Sequence, residues 1–291
     1  VFQDGISISK SRGSVVELFD MDRIEVLKGP QGTLFGRGAS IGAVHLIQNK
    51  PQPFFAGRVT AGAGNFDERY VDGFLNFPIA EDKLFARVAG IVTQRDGFIE
   101  NLSGGNLNGK DVAAIRASLR WVPNDGSTID LIVNAQDDNP PGTSFKSGSF
   151  APAGGSVDPN TFADMERGDD LFIDRTVWGA TLLGDFEIGR NLTLRSLTGY
   201  RSFDSFESFD ADGTVAPVLW FGEDAQGDQF SQELRLNFEG DGAFNGFVGA
   251  SYFWEDGSQG VPFETDERSF FALLTPILAA AGQPVPVLPL V

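Results

Sequence analysis

Apolar and polar side chains alternate along most of the chain from about Arg58 onward. In the segment Val112–Val122 apolar side chains alternate with Arg116, Ser118 and Arg120. Two other segments repeat this period of two, Thr128–Gln136 and Phe230–Phe238. Such a period is that of a β-strand with one apolar and one polar face.

The periodic segments are separated by clusters of Gly, Asp and Asn, which supply turns. Together they predict about nine strands. The expected strands are Arg58–Gly64, Glu68–Ile79, Leu84–Arg95, Val112–Val122, Thr128–Gln136, Thr176–Phe186, Leu192–Arg201, Phe230–Phe238 and Phe244–Trp254.

Short and long connections alternate between these strands. The tight turns are Ala80–Lys83, Asn124–Ser127, Ile188–Asn191 and Glu239–Gly242. The long connections are Asn101–Asp111, Asp137–Asp174, Ser202–Gln229 and the segment after Glu255. Only the hairpin at Asn65–Asp67 is short on the side of the long loops. This asymmetry is typical of outer-membrane barrels, which have short periplasmic turns and long extracellular loops.

Alternation by itself fits two architectures. In a membrane barrel the apolar face contacts lipid and the polar face lines a wet lumen, whereas in a soluble sandwich the apolar face is the core. Strands of about 10 residues match a tilted membrane crossing, and soluble strands average about 5–6 residues. Aromatic residues near strand ends or on outward positions also fit a barrel: Trp121, Trp178, Tyr200, Tyr252 and Trp254.

The first fifty residues differ, with dense glycines and two short apolar runs, Ile24–Leu27 and Ala43–Ile47. These runs predict short buried strands on either side of a glycine-rich turn. That turn lacks both the Lys–Ser/Thr pair and the G-x-G-x-x-G spacing of phosphate-binding loops. Its glycines are interpreted instead as residues that allow tight turns, and they are Gly29, Gly32 and Gly36.

Composition and charge exclude several classes of function. The net charge of −18 argues against nucleic acid as a partner, because phosphates require a basic face. No apolar run reaches the roughly 18 residues of a transmembrane helix, and the best segment, Phe270–Ala281, is interrupted by Pro276. The chain has no cysteine, which excludes disulfides and Cys-based zinc sites. No G-x-S-x-G motif or singled-out carboxylate pair indicates an enzyme.

The first fifty-odd residues resemble the C-terminal half of the plug of TonB-dependent receptors, through VFQDGI and FDMDRIEVLKGPQGTLFGRGASIGAVHLIQNKP. The family's signature runs V-x-x-D-G, then D-x-x-R-I-E-V-L-R/K-G-P-Q-G-x-L-Y/F-G, then G-A/G-V/I-N-x-I-T-x-K-P. The chain departs from it at His45 (usually Asn), at Phe35 (often Tyr) and at Gln48–Asn49 (commonly Thr–Lys). Three later segments are similar to the family's early barrel, GRVTAGAGNFDERYVDGFLNFPI, LFARVAGIVTQRDGFIEN and FSQELRLNF.

This resemblance implies a mainly β protein with two parts. Residues 1–53 would be the C-terminal half of a plug domain. Residues 54–291 would be the N-terminal part of an incomplete antiparallel transmembrane β-barrel, about nine strands of an expected number of about 22. Both ends of the chain look cut, so a coupling box upstream and further strands downstream are expected outside it.

The resemblance also implies a function, namely energised uptake of a scarce solute across the bacterial outer membrane. Ferric siderophores are the family's commonest cargo, with cobalamin, haem and some glycans as others. The implied partners are TonB with its inner-membrane motor, outer-membrane lipid, and a small-molecule or metal-chelate ligand held by plug apices and extracellular loops. No cofactor, resident metal or nucleic acid is expected.

A plug inside a wet barrel must be held by polar contacts that can be released, and charge-assisted hydrogen bonds suit that purpose. The candidates are Arg23, Glu25, Lys28 and Arg37 in the plug, and Glu233 and Arg235 on the barrel face toward the lumen. The alternative for Arg23 and Glu25 is a local solvated ion pair. We predict that Glu233→Ala loosens the plug in the full-length receptor, which unchanged protease protection of the plug would contradict.

Three other features of the sequence have ordinary structural interpretations. His45 is the only histidine and is expected to be a packed residue beside an apolar strand. The segment Asp210–Gly213 lacks the later ligands of a calcium loop and is interpreted as an acidic surface loop. Phenylalanines recur every third residue at Phe203, Phe206 and Phe209, either as an apolar ligand surface or as a loop packing on itself.

Two other classes of protein stay open from the sequence. One is a passive porin-like or adhesin-like barrel without energy coupling, and the other is a soluble secreted β-sandwich. Nine strands would leave two unpaired edges, since bacterial barrels close with an even number of strands. The segment alone should therefore be an open, curved sheet that aggregates through its edges.

Overall fold

The structure is a computed structural model that describes residues 1–32, 39–240 and 244–284, without the side chain of Leu273. Within these residues the chain forms a small N-terminal sheet and a large antiparallel sheet, which we call the wall. A two-stranded hairpin lies in one of the connections of the wall.

The N-terminal sheet has four strands in the order β2-β1-β4-β3. They are β1 Phe2–Gln3, β2 Ile6–Ser7, β3 Met21–Lys28 and β4 Gly42–Gln48. β1 pairs with β4 in parallel, and the other pairs are antiparallel. A small core of Phe2, Ala39 and Ala43 holds the sheet together.

The two apolar runs predicted from the sequence lie in β3 and β4, but only β4 is buried as expected. Ala43 and Leu46 of β4 are buried, whereas Ile24 and Val26 of β3 are 47% and 64% exposed. Ile24 and Val26 share one face of β3, and no described residue covers that face. The expectation of two buried strands is therefore wrong for β3.

The wall consists of nine long strands that pair with their chain neighbours, in an open path from β5 to β15. The strands are β5 Ala56–Ala63, β6 Arg69–Ala80, β7 Leu84–Arg95, β10 Lys110–Asn124, β11 Ser127–Asp138, β12 Phe172–Gly189, β13 Leu192–Asp210, β14 Trp220–Glu239 and β15 Asn245–Gly260. The predicted number of strands and their antiparallel order are confirmed.

Short elements occupy the long connections. The hairpin of β8 Ile99–Glu100 and β9 Asn106–Leu107 follows β7. After β15 come β16 Phe263–Glu264, which pairs with β14, and the helix α1 Glu267–Ala280. None of the helices in the described part of the chain is long and apolar enough to cross a membrane.

The strands that follow the second long connection extend well beyond their predicted bounds. Residues 202–210 and 220–229, expected in a loop, belong to β13 and β14, so the prediction of a long loop at Ser202–Gln229 is wrong. The true connection is residues 211–219. At this end of the wall both faces can be polar, so the apolar alternation that marked the strands is lost there.

The two faces of the wall have the polarity that the alternation predicted. On β10, Ile115 is 54% exposed on the outer face while Arg116 is 2% exposed on the inner face. Residues 1–51, which we call the N-terminal unit, contact the inner face through their described residues 1–32 and 39–51. The wall therefore has an apolar outside and a polar inside that contacts this unit.

Candidate functional site

Asp20 of the N-terminal unit forms hydrogen bonds with two strands of the wall, β7 and β10. It lies just before β3 with a left-handed backbone (φ 48°). Its carboxylate accepts a hydrogen bond from Arg87 Nε of β7 at 2.7 Å, while its carbonyl accepts one from Arg116 Nη1 of β10 at 3.1 Å. The three side chains are 5%, 8% and 3% exposed, respectively. Two buried guanidinium groups thus depend on one carboxylate, on backbone carbonyls and on the side-chain amide of Asn134.

Aromatic rings complete the surroundings of these two arginines. Arg87 Cζ lies 3.7 Å from the ring centroid of Phe74, and Arg116 Cζ lies 4.6 Å from that of Phe19. Arg116 Nη1 also donates to the carbonyl of Phe19 at 3.2 Å. Guanidinium groups tolerate this setting because they are weakly hydrated and stack on aromatic faces. We call Asp20, Arg87 and Arg116 the Asp20 cluster.

A second charged contact lies toward the end of the wall that carries the long connections. Arg12, in a short 3-10 turn at Arg12–Ser14, lies between two glutamates of the wall. Its Nη2 is 2.6 Å from Glu207 Oε2, and its Nε donates to Glu223 Oε1 at 2.9 Å. Glu207 and Glu223 are directly opposite each other on β13 and β14. A single guanidinium therefore bridges two neighbouring carboxylates and reduces the repulsion between them.

Further polar bonds connect the unit with the wall between these two clusters. Arg201 Nε donates to the carbonyl of Gly13 at 2.8 Å, and Ser9 N donates to Gln229 Oε1 at 3.1 Å. Three more pairs are Lys110–Glu17 at 2.7 Å, Glu17 N–Gln136 at 2.7 Å and Gln48–Asn134 at 3.2 Å. Charged and polar groups thus span most of the interface.

The Asp4–Gly5 turn fastens the start of the chain to the end of β4. Asp4 Oδ1 accepts hydrogen bonds from Gln48 N at 3.1 Å and from Lys50 Nζ at 2.8 Å. Both turn residues are left-handed, with φ values of 48° and 89°. A Cβ on Gly5 would lie 2.7 Å from Leu197 Cδ2 of the wall, so only glycine fits there. These contacts explain why an Asp–Gly pair stands at this point of the sequence.

His45 adds a pH-sensitive contact to the same turn. Its Nε2 accepts a hydrogen bond from Gly5 N at 2.9 Å, which requires the neutral ring. Burial lowers the pKa of His45 below its ordinary value, although Glu25, with Oε2 at 3.6 Å from Nδ1, opposes this. The expectation of a packed residue agrees with this setting, since the His45 side chain is 16% exposed.

We therefore expect acid to weaken the N-terminal unit. Because the folded pKa of His45 is below the unfolded value of 6.5, its contribution is fully present above about pH 6.5 and is lost as the pH falls through the folded pKa. Protease cleavage of residues 1–51, measured in the complete protein between about pH 7.5 and 5, should rise on acidification. His45→Asn keeps an acceptor that does not titrate, so an unchanged pH dependence in this variant would contradict the assignment.

The charged residues predicted from the sequence have other partners in the structure. Arg23 Nε donates to Glu25 Oε1 at 2.7 Å, and its other end is paired with Asp22, both on the same strand. Arg235 Nη2 donates to Glu233 Oε1 at 2.6 Å on β14. Among the described residues, neither pair is bonded across the interface, and the side chain of Lys28 has no ion pair. Arg37 lies outside the described residues.

The glycines of the predicted turn are only partly described. Gly29 has φ 85°, a left-handed conformation that favours glycine, while a Cβ on Gly32 would meet nothing within 4 Å. The conformation of Gly29 fits its predicted role in a turn. Gly36 lies outside the described residues.

The carboxylates of the segment Asp210–Gly213 accept hydrogen bonds from backbone N–H groups of two connections of the wall. Asp210 is fully buried, and its carboxylate accepts hydrogen bonds from the backbone N–H groups of Glu166, Asp212 and Gly213 at 2.9–3.1 Å. The Asp212 carboxylate accepts one from Leu219 N at 2.8 Å. The prediction of a surface loop is wrong for Asp210, because its oxygens organise two connections of the wall.

The three spaced phenylalanines belong to β13 and not to a loop. Phe203 is 8% exposed and packs with Val177 and Ala225 on the inner face, beneath Gly13. Phe206 packs with Phe172 at a centroid distance of 5.8 Å. Phe209 stacks with Phe221 at 5.7 Å. Spacing by three on a strand places Phe203 and Phe206 on opposite faces, so no single surface collects all three.

The sequence matches the family model described as TonB-dependent Receptor Plug Domain over residues 1–43. This is the segment that folds against the inner face of a β-wall. The chain is part of a TonB-dependent receptor. Residues 1–43 thus belong to its plug, and the open wall is consistent with part of its barrel, which lies in the bacterial outer membrane. We expect the end with the long connections to be the extracellular one, because outer-membrane barrels carry their long loops on that side.

Several receptors are similar to this chain. It is 28% identical to the Ferrioxamine B receptor of Salmonella typhimurium over 181 residues, which are 59% of this chain and 25% of that protein. It is 36% identical to the Metal-pseudopaline receptor CntO of Pseudomonas aeruginosa over 88 residues, 30% of this chain and 12% of that protein. The chain thus spans a quarter or less of the relatives it matches.

The fold is similar to that of the ferric yersiniabactin uptake receptor FyuA from Yersinia pestis, with a TM-score of 0.79. The superposition covers 91% of this chain and 40% of that receptor, at 19% identity. At this identity the likeness describes the fold alone, an incomplete barrel wall around part of a plug.

The residues that join plug and barrel were only partly visible in the sequence. Arg116 was recognised as a polar position of an alternating strand, which is the signal for an inward-facing charge. Arg87, in the apolar segment LFARVAG, carries the same signal. Asp20 is the first residue of the signature D-x-x-R-I-E-V, but that pattern does not indicate which of its charged residues contacts the wall. Arg12 lies in a segment without periodicity and outside the signature.

Proposed function

We propose that the complete receptor binds a ferric siderophore at the cell surface and admits it when TonB and its inner-membrane motor pull on the plug. The observation that carries this proposal is the Asp20 cluster, a buried set of charge-assisted hydrogen bonds between plug and barrel. Two relatives of the chain support a metal–siderophore type of cargo, since one is named for ferrioxamine B and the other for a metal–pseudopaline complex.

A polar interface suits a part that must move. An apolar interface would resist separation through the whole of its buried area. Charge-assisted hydrogen bonds are strong while they are dry, but each partner can bond to water once it is exposed. The bonds of Asp20, Arg12 and Glu17 therefore support a plug that is held firmly at rest and released under load.

In this proposal the holding role belongs first to the Asp20 cluster and to Arg12 with its two glutamates. Six charged residues are predicted from the sequence to hold the plug in the barrel, and for them this role stays a prediction: Arg23, Glu25, Lys28, Arg37, Glu233 and Arg235. Ligand recognition would come from plug apices and extracellular loops, and no catalytic step is proposed.

Growth under iron limitation tests the proposed cargo. A strain that lacks the complete receptor should fail to grow on one class of ferric siderophore as the sole iron source, and the restored gene should recover growth. A panel of hydroxamate, catecholate and mixed ferric chelates would identify that class. Equal growth of both strains on every chelate, with a phenotype only on cobalamin, haem or glycans, would contradict the proposal.

A further inference from the structure

The lipid-facing surface of the barrel wall carries a groove of about 610 Å³ across β6, β7 and β10. Gly73, Gly90 and Ala113 form its floor, because they have little or no side chain. Val71, Val92 and Ile115 form its sides and are 51–56% exposed. The groove is therefore an apolar depression in the lipid-facing surface.

Strand register explains why the groove forms here. Gly73 of β6 lies opposite Gly90 of β7, and Ala113 of β10 lies opposite Val92 of β7. A Cβ on Gly73 would lie 2.5 Å from the carbonyl oxygen of Arg58, so this position admits only glycine. The backbone of the neighbouring strand β5 thus excludes a side chain from this part of the groove floor.

The groove lies just below the extracellular boundary of the apolar band. Next to it, toward the extracellular loops, Gln94 and Asp111 lie opposite each other on β7 and β10. Asp137, whose carboxylate accepts a hydrogen bond from Thr176 Oγ1 at 3.1 Å, borders it on β11. The groove is continuous with the lipid-facing band on its other side, so the medium that fills it is the hydrocarbon of the outer leaflet.

We propose that this groove binds one hydrocarbon chain of an outer-leaflet lipid and retains it when the surrounding lipids exchange. A chain in the groove contacts backbone atoms and the Ala113 methyl group beneath it and side chains on both sides, whereas a chain elsewhere on the lipid-facing surface has protein on one side only. Dispersion contacts add up with the number of neighbouring atoms, and unfilled space forfeits them. The site is independent of the cargo and of the motor.

Lipid binding to the complete, delipidated receptor tests this site through a matched pair of variants. Ala113→Phe fills the groove, while Ala117→Phe adds the same ring four residues away on the same outer face of β10, outside it. Palmitoyl-oleoyl phosphatidylethanolamine is titrated, and bound lipids are counted by native mass spectrometry. The first lipid should bind about tenfold more weakly to Ala113→Phe, since roughly two methylene groups lose their apolar contacts.

Ala117→Phe should bind the first lipid as the unchanged receptor does. Heat-modifiable electrophoresis shows whether both variants fold to the same extent. Equal weakening in both variants would overturn the proposal, as would an unchanged receptor that binds no lipid more tightly than the rest. Cross-linking from Val92 to a second receptor or to another protein in intact membranes would also overturn it.

Discussion

Replacement of Asp20 by alanine is expected to release the plug from the first strands of the barrel. The change leaves Arg87 and Arg116 buried without their carboxylate, and removal of one partner of a buried ion pair typically costs about 3–5 kcal/mol. Protease cleavage of residues 1–51 in the complete receptor should rise by two orders of magnitude or more, since each 1.4 kcal/mol is a factor of about ten.

A matched control separates this effect from a general loss of charge. Arg23→Ala removes an exposed pair on β3, and such pairs contribute about 0–1 kcal/mol. A second variant, Asp20→Asn, keeps a side chain that can accept from Arg87 but removes the charge, so it should fall between the two. Equal cleavage of Asp20→Ala and Arg23→Ala would show that the Asp20 cluster does not hold the plug.

Replacement of Arg12 by alanine is expected to have the second largest effect, confined to the extracellular side. Glu207 and Glu223 then face each other across β13 and β14 without a cation. The Arg12 side chain is 25% exposed, so water screens part of the loss, and a cost of about 2 kcal/mol is expected, below that of a fully buried pair. Exchange of amide hydrogens in residues 9–17 should accelerate about thirtyfold.

The repulsion between the two glutamates provides the check on this explanation. In the double variant Arg12→Ala with Glu223→Gln, one of the two carboxylates is gone, so part of the protection should return. If the double variant restores no protection, the effect of Arg12 comes from its packing and not from its charge.

The strand pattern of this protein could be predicted from the sequence wherever lipid bounds one face. Ile115 and Arg116 alternate because one side chain meets hydrocarbon and the next meets the lumen. Beyond the membrane both faces can be polar, so residues 202–210 show no such pattern although β13 continues through them. The apolar run at Ile24 predicted a buried strand, but β3 is an edge strand whose apolar residues are exposed.

The candidate site was less predictable than the fold, since it depends on contacts between residues far apart in the chain. Arg12 meets Glu223 across a separation of 211 residues, and no local pattern marks either of them. The family signature drew attention to Arg23 and Glu25, which bond to each other on β3. Asp20, the first residue of the same signature, makes the long-range contact because its left-handed backbone lies where the chain passes the wall.

Uptake of a radioactive ferric siderophore by cells that express the complete receptor tests the central proposal most directly. The same cells are compared with and without a working inner-membrane motor, and binding at the surface is measured separately from accumulation inside. The account predicts that binding is equal in both and that accumulation occurs only with the motor. Equal accumulation in both would indicate a passive barrel and would contradict it.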